Sequence, residues 1–167
     1  MRLKKSLDKR ITRLCLKWLN NKAAAGTLRP FAVDKNGIWF QTGYGFAVYS
    51  NMYDRILELK VNPVWEQVES EFILRNISQN DVLIDVGANI GYFSILAAHQ
   101  RRAKVLAVEP VPKTFEMLNM NIRYNKLEKL VETVNIALGN DDGVLRFTTS
   151  FGPKNHAEYE TNNIHSD

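Results

Sequence analysis

The stretch Val82-Leu-Ile-Asp-Val-Gly-Ala-Asn-Ile-Gly-Tyr92 leaves this chain few folds to choose from. Val82, Leu83, Ile84 and Val86 are apolar and rich in β-branched side chains, the composition of a parallel strand covered on both faces. Gly87 and Gly91 punctuate its end, and Tyr92, Phe93, Ile95, Leu96 and Ala97 carry a helical pattern toward Arg101. Strand, glycine turn and helix in that order make half of a βαβ unit, and such a unit binds its ligand beyond the strand's carboxyl end.

The next apolar run, Val105-Leu-Ala-Val-Glu-Pro110, ends in an acid 22 residues after Gly87. A carboxylate at the tip of a second strand can accept hydrogen bonds from both hydroxyls of a ribose, so Glu109 marks a nucleoside pocket. The glycine spacing then discriminates between nucleoside cofactors. A dinucleotide fingerprint wants glycines at offsets 0, 2 and 5, where this chain has Gly87, Asn89 and Tyr92. Asn89 carries a side chain where a pyrophosphate needs bare backbone, and Tyr92 is too large for the close helix contact of the third glycine. An NAD-dependent oxidoreductase therefore stands as the alternative enzyme class. A Gly-x-Asn-x-Gly loop can wrap a smaller group, such as the amino acid end of S-adenosylmethionine, with Asp85 supplying a carboxylate for its amine. An acid inside an otherwise apolar strand is costly to bury unless it is paired, which makes Asp85 read as a ligand contact.

The segments Asp85-Val-Gly-Ala-Asn-Ile-Gly-Tyr-Phe-Ser94, Val108-Glu-Pro-Val-Pro112, Asn119 through Asn125 and Val134-Asn-Ile-Ala-Leu-Gly139 together resemble the FkbM family of class I methyltransferases, over roughly residues 64 to 150. The resemblance implies an α/β, Rossmann-like doubly wound sheet and S-adenosylmethionine as cofactor. Asp85, Gly87, Ala88, Asn89 and Gly91 would form the methionine loop, Glu109 would hold the ribose, and adenine would lie near Ala137 and Leu138. It further implies O-methylation of a sugar or another hydroxyl, hence a small-molecule or glycan acceptor, with Trp65 and Glu66 as acceptor-side candidates. No residue claims the role of catalytic base; His156 and Glu160 read as solvated. The family's sheet has seven strands in the order 3-2-1-4-5-7-6, of which this chain supplies the first three and a hairpin-like excursion. The next strand, ending Asp-x-Glu-Gly, is absent. The sheet is therefore expected to be incomplete, with an exposed apolar edge at residues 82–86, and the chain to be a truncated fragment of a longer methyltransferase, or a short open reading frame, and not an autonomous enzyme. A noncatalytic binding or assembly module is the third reading.

Composition sets outer bounds. With 167 residues and 45% apolar content, one ordinary core is affordable. The net charge of +4 is unevenly spread: residues 1–30 hold nine Lys or Arg against Asp8 alone, a balance of +8, while the remainder carries 13 basic against 17 acidic residues, a balance of −4. The body is thus mildly acidic, and nucleic acid is not expected as a partner. Cys15 stands alone, and His99, His156 and His165 lack ligand spacing, so no metal site is expected. No apolar run spans a membrane, and Lys17 interrupts the only apolar core near the N-terminus, so a cytoplasmic protein is expected.

Residues 2–19 place Leu3, Leu7, Ile11, Leu14 and Trp18 on one side of a helix and six cations on the other. This basic amphipathic helix could lie on an anionic membrane; docking on its own chain or on a partner subunit, as in a homo-oligomer, is the preferred reading. Residues 1–62 form an N-terminal extension with a β hairpin turning at Asn36-Gly37, and 63–167 form the core. Tyr44, Phe46 and Tyr49 read as packing more readily than as a pocket cap. A helix from Pro63 carries Val64, Val68, Phe72 and Ile73 on one side, a second spans 113–124 with Phe115, Leu118 and Ile122 inward, and strands follow at 131–138 and 144–149. The tail from Phe151 reads as loop.

Overall fold

The structure is a computed structural model that describes residues 30–33, 37–51, 64–140, 145–147 and 157–159. The expected N-terminal helix, Cys15, His156 and Glu160 lie outside the described residues. The chain divides into two units, Met1–Trp65 and Glu66–Asp167.

In the first unit, β1 (Pro30–Val33), β2 (Ile38–Gln41) and β3 (Ala47–Ser50) form an antiparallel sheet in the order β1-β2-β3. The expected hairpin is present, with Val33 opposite Ile38. The second turn is closed by Thr42, whose N–H and hydroxyl both donate to the Phe46 carbonyl, at 2.9 and 2.8 Å. Phe46 and Tyr49 are buried, and Tyr49 packs tilted against Trp39 with ring centroids 5.4 Å apart. Gly37 is required by that packing. A Cβ there would sit 2.5 Å from the Tyr49 ring and 2.7 Å from the Ser50 carbonyl oxygen, and the buried ring cannot swing away. Gly37→Ala should accordingly destabilise this unit by about 1 to 3 kcal/mol, read as a lowered thermal midpoint.

The second unit begins with α1 (Gln67–Asn76) and continues through β4 (Val82–Val86), α2 (Tyr92–Arg101), β5 (Lys104–Val108), α3 (Pro112–Tyr124) and β6 (Val131–Val134). The three strands are parallel in the order β4-β5-β6, so each strand-helix-strand passage is a βαβ crossover of an α/β doubly wound fold. Helix α2 buries Ile95, Leu96, Ala97 and Ala98 and contacts all three strands. Helix α1 lies against α2, where the Arg101 guanidinium donates to the Leu74 carbonyl.

Sequence patterning is overturned at four places. Strand β4 is covered on one face only: Val82, Ile84 and Val86 are about 60% exposed (63%, 59% and 60%), and among the described residues β4 pairs with β5 alone. Apolar composition records that a strand is suited to burial, not that both faces are covered. On α1 the apolar stripe points outward, with Val68 and Phe72 exposed and Ser70 wholly buried, because the side that meets α2 needs a small residue for close approach. Strand β6 stops at Val134, four residues early, since the Asn135 side chain turns back to donate to the Glu109 and Pro110 carbonyls at 2.7 and 3.1 Å. The tail holds a strand, β8 (Ala157–Tyr159), paired antiparallel with β7 (Leu145–Phe147). Three residues are too few to display a period of two. Among the described residues no helix is long and apolar enough to cross a membrane.

Candidate functional site

The corner beyond β4 is built on alternating left-handed residues: Gly87 at φ 81°, Asn89 at φ 53° and Gly91 at φ 91°. Glycine adopts this backbone freely, and asparagine is among the few other residues that tolerate it. The turn they make sends the chain from β4 back over the tip of β5 and into α2, whose N-cap is Gly91.

The amides of this loop are nearly all engaged inside the protein. The N–H groups of Gly87 and Ala88 both donate to the Val108 carbonyl, at 2.8 and 2.9 Å, and Gly91 N–H donates to the Ala88 carbonyl at 2.8 Å. Asn89 N–H donates to Glu109 Oε2 at 2.9 Å. The other oxygen of that carboxylate, Oε1, accepts from Val111 N–H at 2.9 Å. Glu109 is only 6% exposed and bridges the loop after β4 to the N-cap of α3. Burial pushes its carboxyl above the usual range, the nearby Asp85 charge adds to that push, and the two N–H bonds oppose it.

Asp85 is explained by its partners. Its Oδ2 accepts the Ser94 hydroxyl at 2.6 Å, and the Ser94 backbone N–H also bonds to the carboxylate. Ser94 is wholly buried in the first turn of α2, so the strand acid serves as a remote cap for the helix N-terminus and meets the positive end of its dipole. Burial nevertheless raises the Asp85 carboxyl above the usual range. Both groups therefore hold protons in the folded chain at a pH where the unfolded chain has released them. The contribution of these two groups to stability should be full below about pH 4, the unfolded carboxylate range, and be lost as pH rises through the window up to the raised folded values. Urea unfolding at stepped pH checks this, and Asp85→Asn should flatten the fall.

The six residues read from sequence thus converge on one corner: Asp85, Gly87, Ala88, Asn89 and Gly91 from β4 and its loop, and Glu109 from the tip of β5. Two features of the loop suit a small polar ligand. No atom lies within 4 Å of where a Gly87 Cβ would stand, and Asn89 Oδ1 is buried with no hydrogen-bond partner. Three side chains escaped attention as individuals. Ser94 holds Asp85, Asn135 holds the Glu109 backbone, and Asn121, wholly buried on α3, donates to the Ile90 carbonyl at 2.8 Å. Each bond joins elements distant in sequence, so no local pattern announces it. Ala137 is half-buried and Leu138 exposed beyond the end of β6, and Trp65 and Glu66 precede α1, with Glu66 in a left-handed turn.

Residues 62–142 match the family model described as the TRM5/TYW2 methyltransferase domain. Among curated proteins, the chain is similar to methyltransferase sdnD of Sordaria araneosa, 27% identical over 99 residues that make up 58% of this chain and 38% of that protein. It is also similar to a tRNA (guanine(37)-N(1))-methyltransferase of Batrachochytrium dendrobatidis, 37% identical over 70 residues, 42% of this chain and 15% of that one. Among solved structures, TYW2 of Pyrococcus horikoshii in complex with MeSAdo superposes with a TM-score of 0.52 at 21% identity, covering 67% of this chain and 40% of that one. The chain therefore spans well under half the length of these relatives. The α/β fold is that of the class I methyltransferases.

Two expectations are corrected by these matches. The matching model is TRM5/TYW2 and not FkbM. The strand, glycine loop and distal acid are features that many nucleoside-binding α/β domains share, so they do not discriminate between families. The expectation of a hydroxyl-bearing small molecule or glycan as acceptor, with nucleic acid excluded, is overturned by relatives named as tRNA methyltransferases. A net charge averaged over the body measures mean electrostatics and does not report which acceptor a local surface takes.

Proposed function

We propose that this chain carries the cofactor-binding part of an S-adenosylmethionine-dependent methyltransferase domain whose acceptor is tRNA. The observation that carries the reading is the use of the loop's own amides: Gly87, Ala88, Asn89 and Gly91 all spend their N–H groups on protein acceptors. A pyrophosphate requires such N–H groups to be turned outward, so a dinucleotide has little to bind to here. A cationic ligand, by contrast, meets two carboxylates and a buried amide oxygen that lacks a donor. Glu109 would accept the ribose hydroxyls on the lone pairs its N–H partners leave unused, and the loop from Asp85 to Gly91 would enclose the methionine end.

When bound, the cofactor supplies an activated methyl group whose transfer leaves a neutral thioether. The chain's contribution is alignment, since displacement at a methyl carbon depends on holding nucleophile, methyl and leaving sulfur in line. The two raised carboxyls tie this to pH: affinity for a cation should increase as pH rises through their folded values. The tRNA acceptor rests on the TRM5/TYW2 match and the tRNA methyltransferases among the relatives.

The test is transfer of labelled methyl from S-adenosylmethionine to an unmodified tRNA transcript, run beside a free sugar and a simple alcohol. Label in the tRNA alone supports the proposal. Label in the sugar alone contradicts it.

A further inference from the structure

The loop at 87–91 holds a non-glycine residue, Asn89, in the left-handed region between two left-handed glycines. Backbone of this kind persists only when its surroundings over-determine it. From the β5 side it is held by Val108 and Glu109, as described above. From the other side it is held by α3 at two successive residues. Asn121 donates its side-chain N–H to the Ile90 carbonyl at 2.8 Å, and Leu118 Cδ1 occupies the place, 2.5 Å away, where a Gly91 Cβ would point.

Leu118 and Asn121 are three residues apart and so lie on one face of α3. The same helix is anchored at its N-cap by Val111 N–H on Glu109 Oε1. Helix α3 therefore runs as a brace from the acid of the site to the loop of the site. A wholly buried carboxamide at Asn121 is expensive where a leucine would fill the space without a polar cost, and its bond to Ile90 helps to offset that expense.

We propose that Asn121 is a positioning residue that sets the ligand-ready shape of the 87–91 loop, acting through Ile90 without touching the ligand. The identity of that ligand rests on the reading of the site as an S-adenosylmethionine pocket; the brace itself does not. A merely structural role predicts that loss of Asn121 lowers global stability and leaves the loop as it was whenever the chain is folded.

The experiment compares the unmodified chain with Asn121→Leu, which keeps the volume and removes the donor. Hydrogen exchange of the loop peptide is followed without ligand, and S-adenosylmethionine affinity is measured on the same samples by calorimetry. The proposal expects exchange in the loop, but not in β5, to accelerate about tenfold, and Kd to rise about tenfold, while the thermal midpoint moves little. Unchanged loop exchange, or acceleration spread evenly over the unit with a parallel fall in midpoint, overturns it. Should Asn121→Leu fail to fold, Asn121→Ser, with a hydroxyl too short to reach Ile90, gives the same comparison. Faster loop exchange in the variant with no S-adenosylmethionine affinity in either chain upholds the brace and overturns the cofactor reading instead.

Discussion

Replacing Glu109 with alanine should weaken S-adenosylmethionine binding by about 10- to 100-fold, equivalent to about 1 to 3 kcal/mol. Three losses combine in that figure. The ribose loses its acceptor, the Asn89 N–H loses the bond that fixes the loop, and the Val111 N–H loses the bond that fixes the start of α3. The residue is buried, so water does not fully replace the carboxylate for those two amides, and the ligand-free chain should also be less stable. Glu109→Gln separates the effects. It keeps the volume and one acceptor oxygen but turns an NH2 toward one of the two amides, so it should retain more stability than alanine. Calorimetric titration and thermal melting of both variants make the comparison, and an affinity unchanged in both would remove Glu109 from the ribose.

Gly91→Val should have the largest effect on folding. Its φ of 91° is hostile to any side chain, worst for a β-branched one, and its Cβ would stand 2.5 Å from Leu118, itself wholly buried. Backbone strain and overpacking together should cost about 3 to 5 kcal/mol, a large part of the stability of a small domain. Gly87 is the control, because its φ is also left-handed, at 81°, but nothing lies within 4 Å of its missing Cβ. Gly87→Ala should therefore cost only about 1 to 2 kcal/mol. Leu118→Ala added to Gly91→Ala should relieve the clash and leave the strain, a partial rescue visible in urea midpoints.

The contrast between these two glycines marks what a sequence can disclose. Glycines after a β-branched run announce left-handed backbone, and an acid at the end of the next run announces a carboxylate at the strand tip beside the loop, because both are local signals with fixed offsets. Which glycine is also pressed by a neighbouring helix is a three-dimensional fact. The same holds for Asp85. Its presence in an apolar strand flagged something unusual, and its bond to Ser94 shows part of the cause to be helix capping. Helix α1 was legible as a helix but not in its orientation, because Val68 and Phe72 signal a period without saying which side is covered. Asn121 and Asn135 were hidden for a related reason: an asparagine that bonds a distant carbonyl looks in sequence like any polar residue on a helix or after a strand. The TRM5/TYW2 match, too, lay beyond the corner's motifs, since it extends over residues 62–142.

The central claim is that the corner of Gly87 to Gly91 with Glu109 receives S-adenosylmethionine and not a dinucleotide. Titrating the chain in parallel with S-adenosylmethionine and NAD, followed by the same titrations of Glu109→Ala, tests it most directly. The account predicts saturable one-site binding of S-adenosylmethionine that weakens in the variant, and no binding of NAD. Saturable binding of NAD with none of S-adenosylmethionine would contradict it.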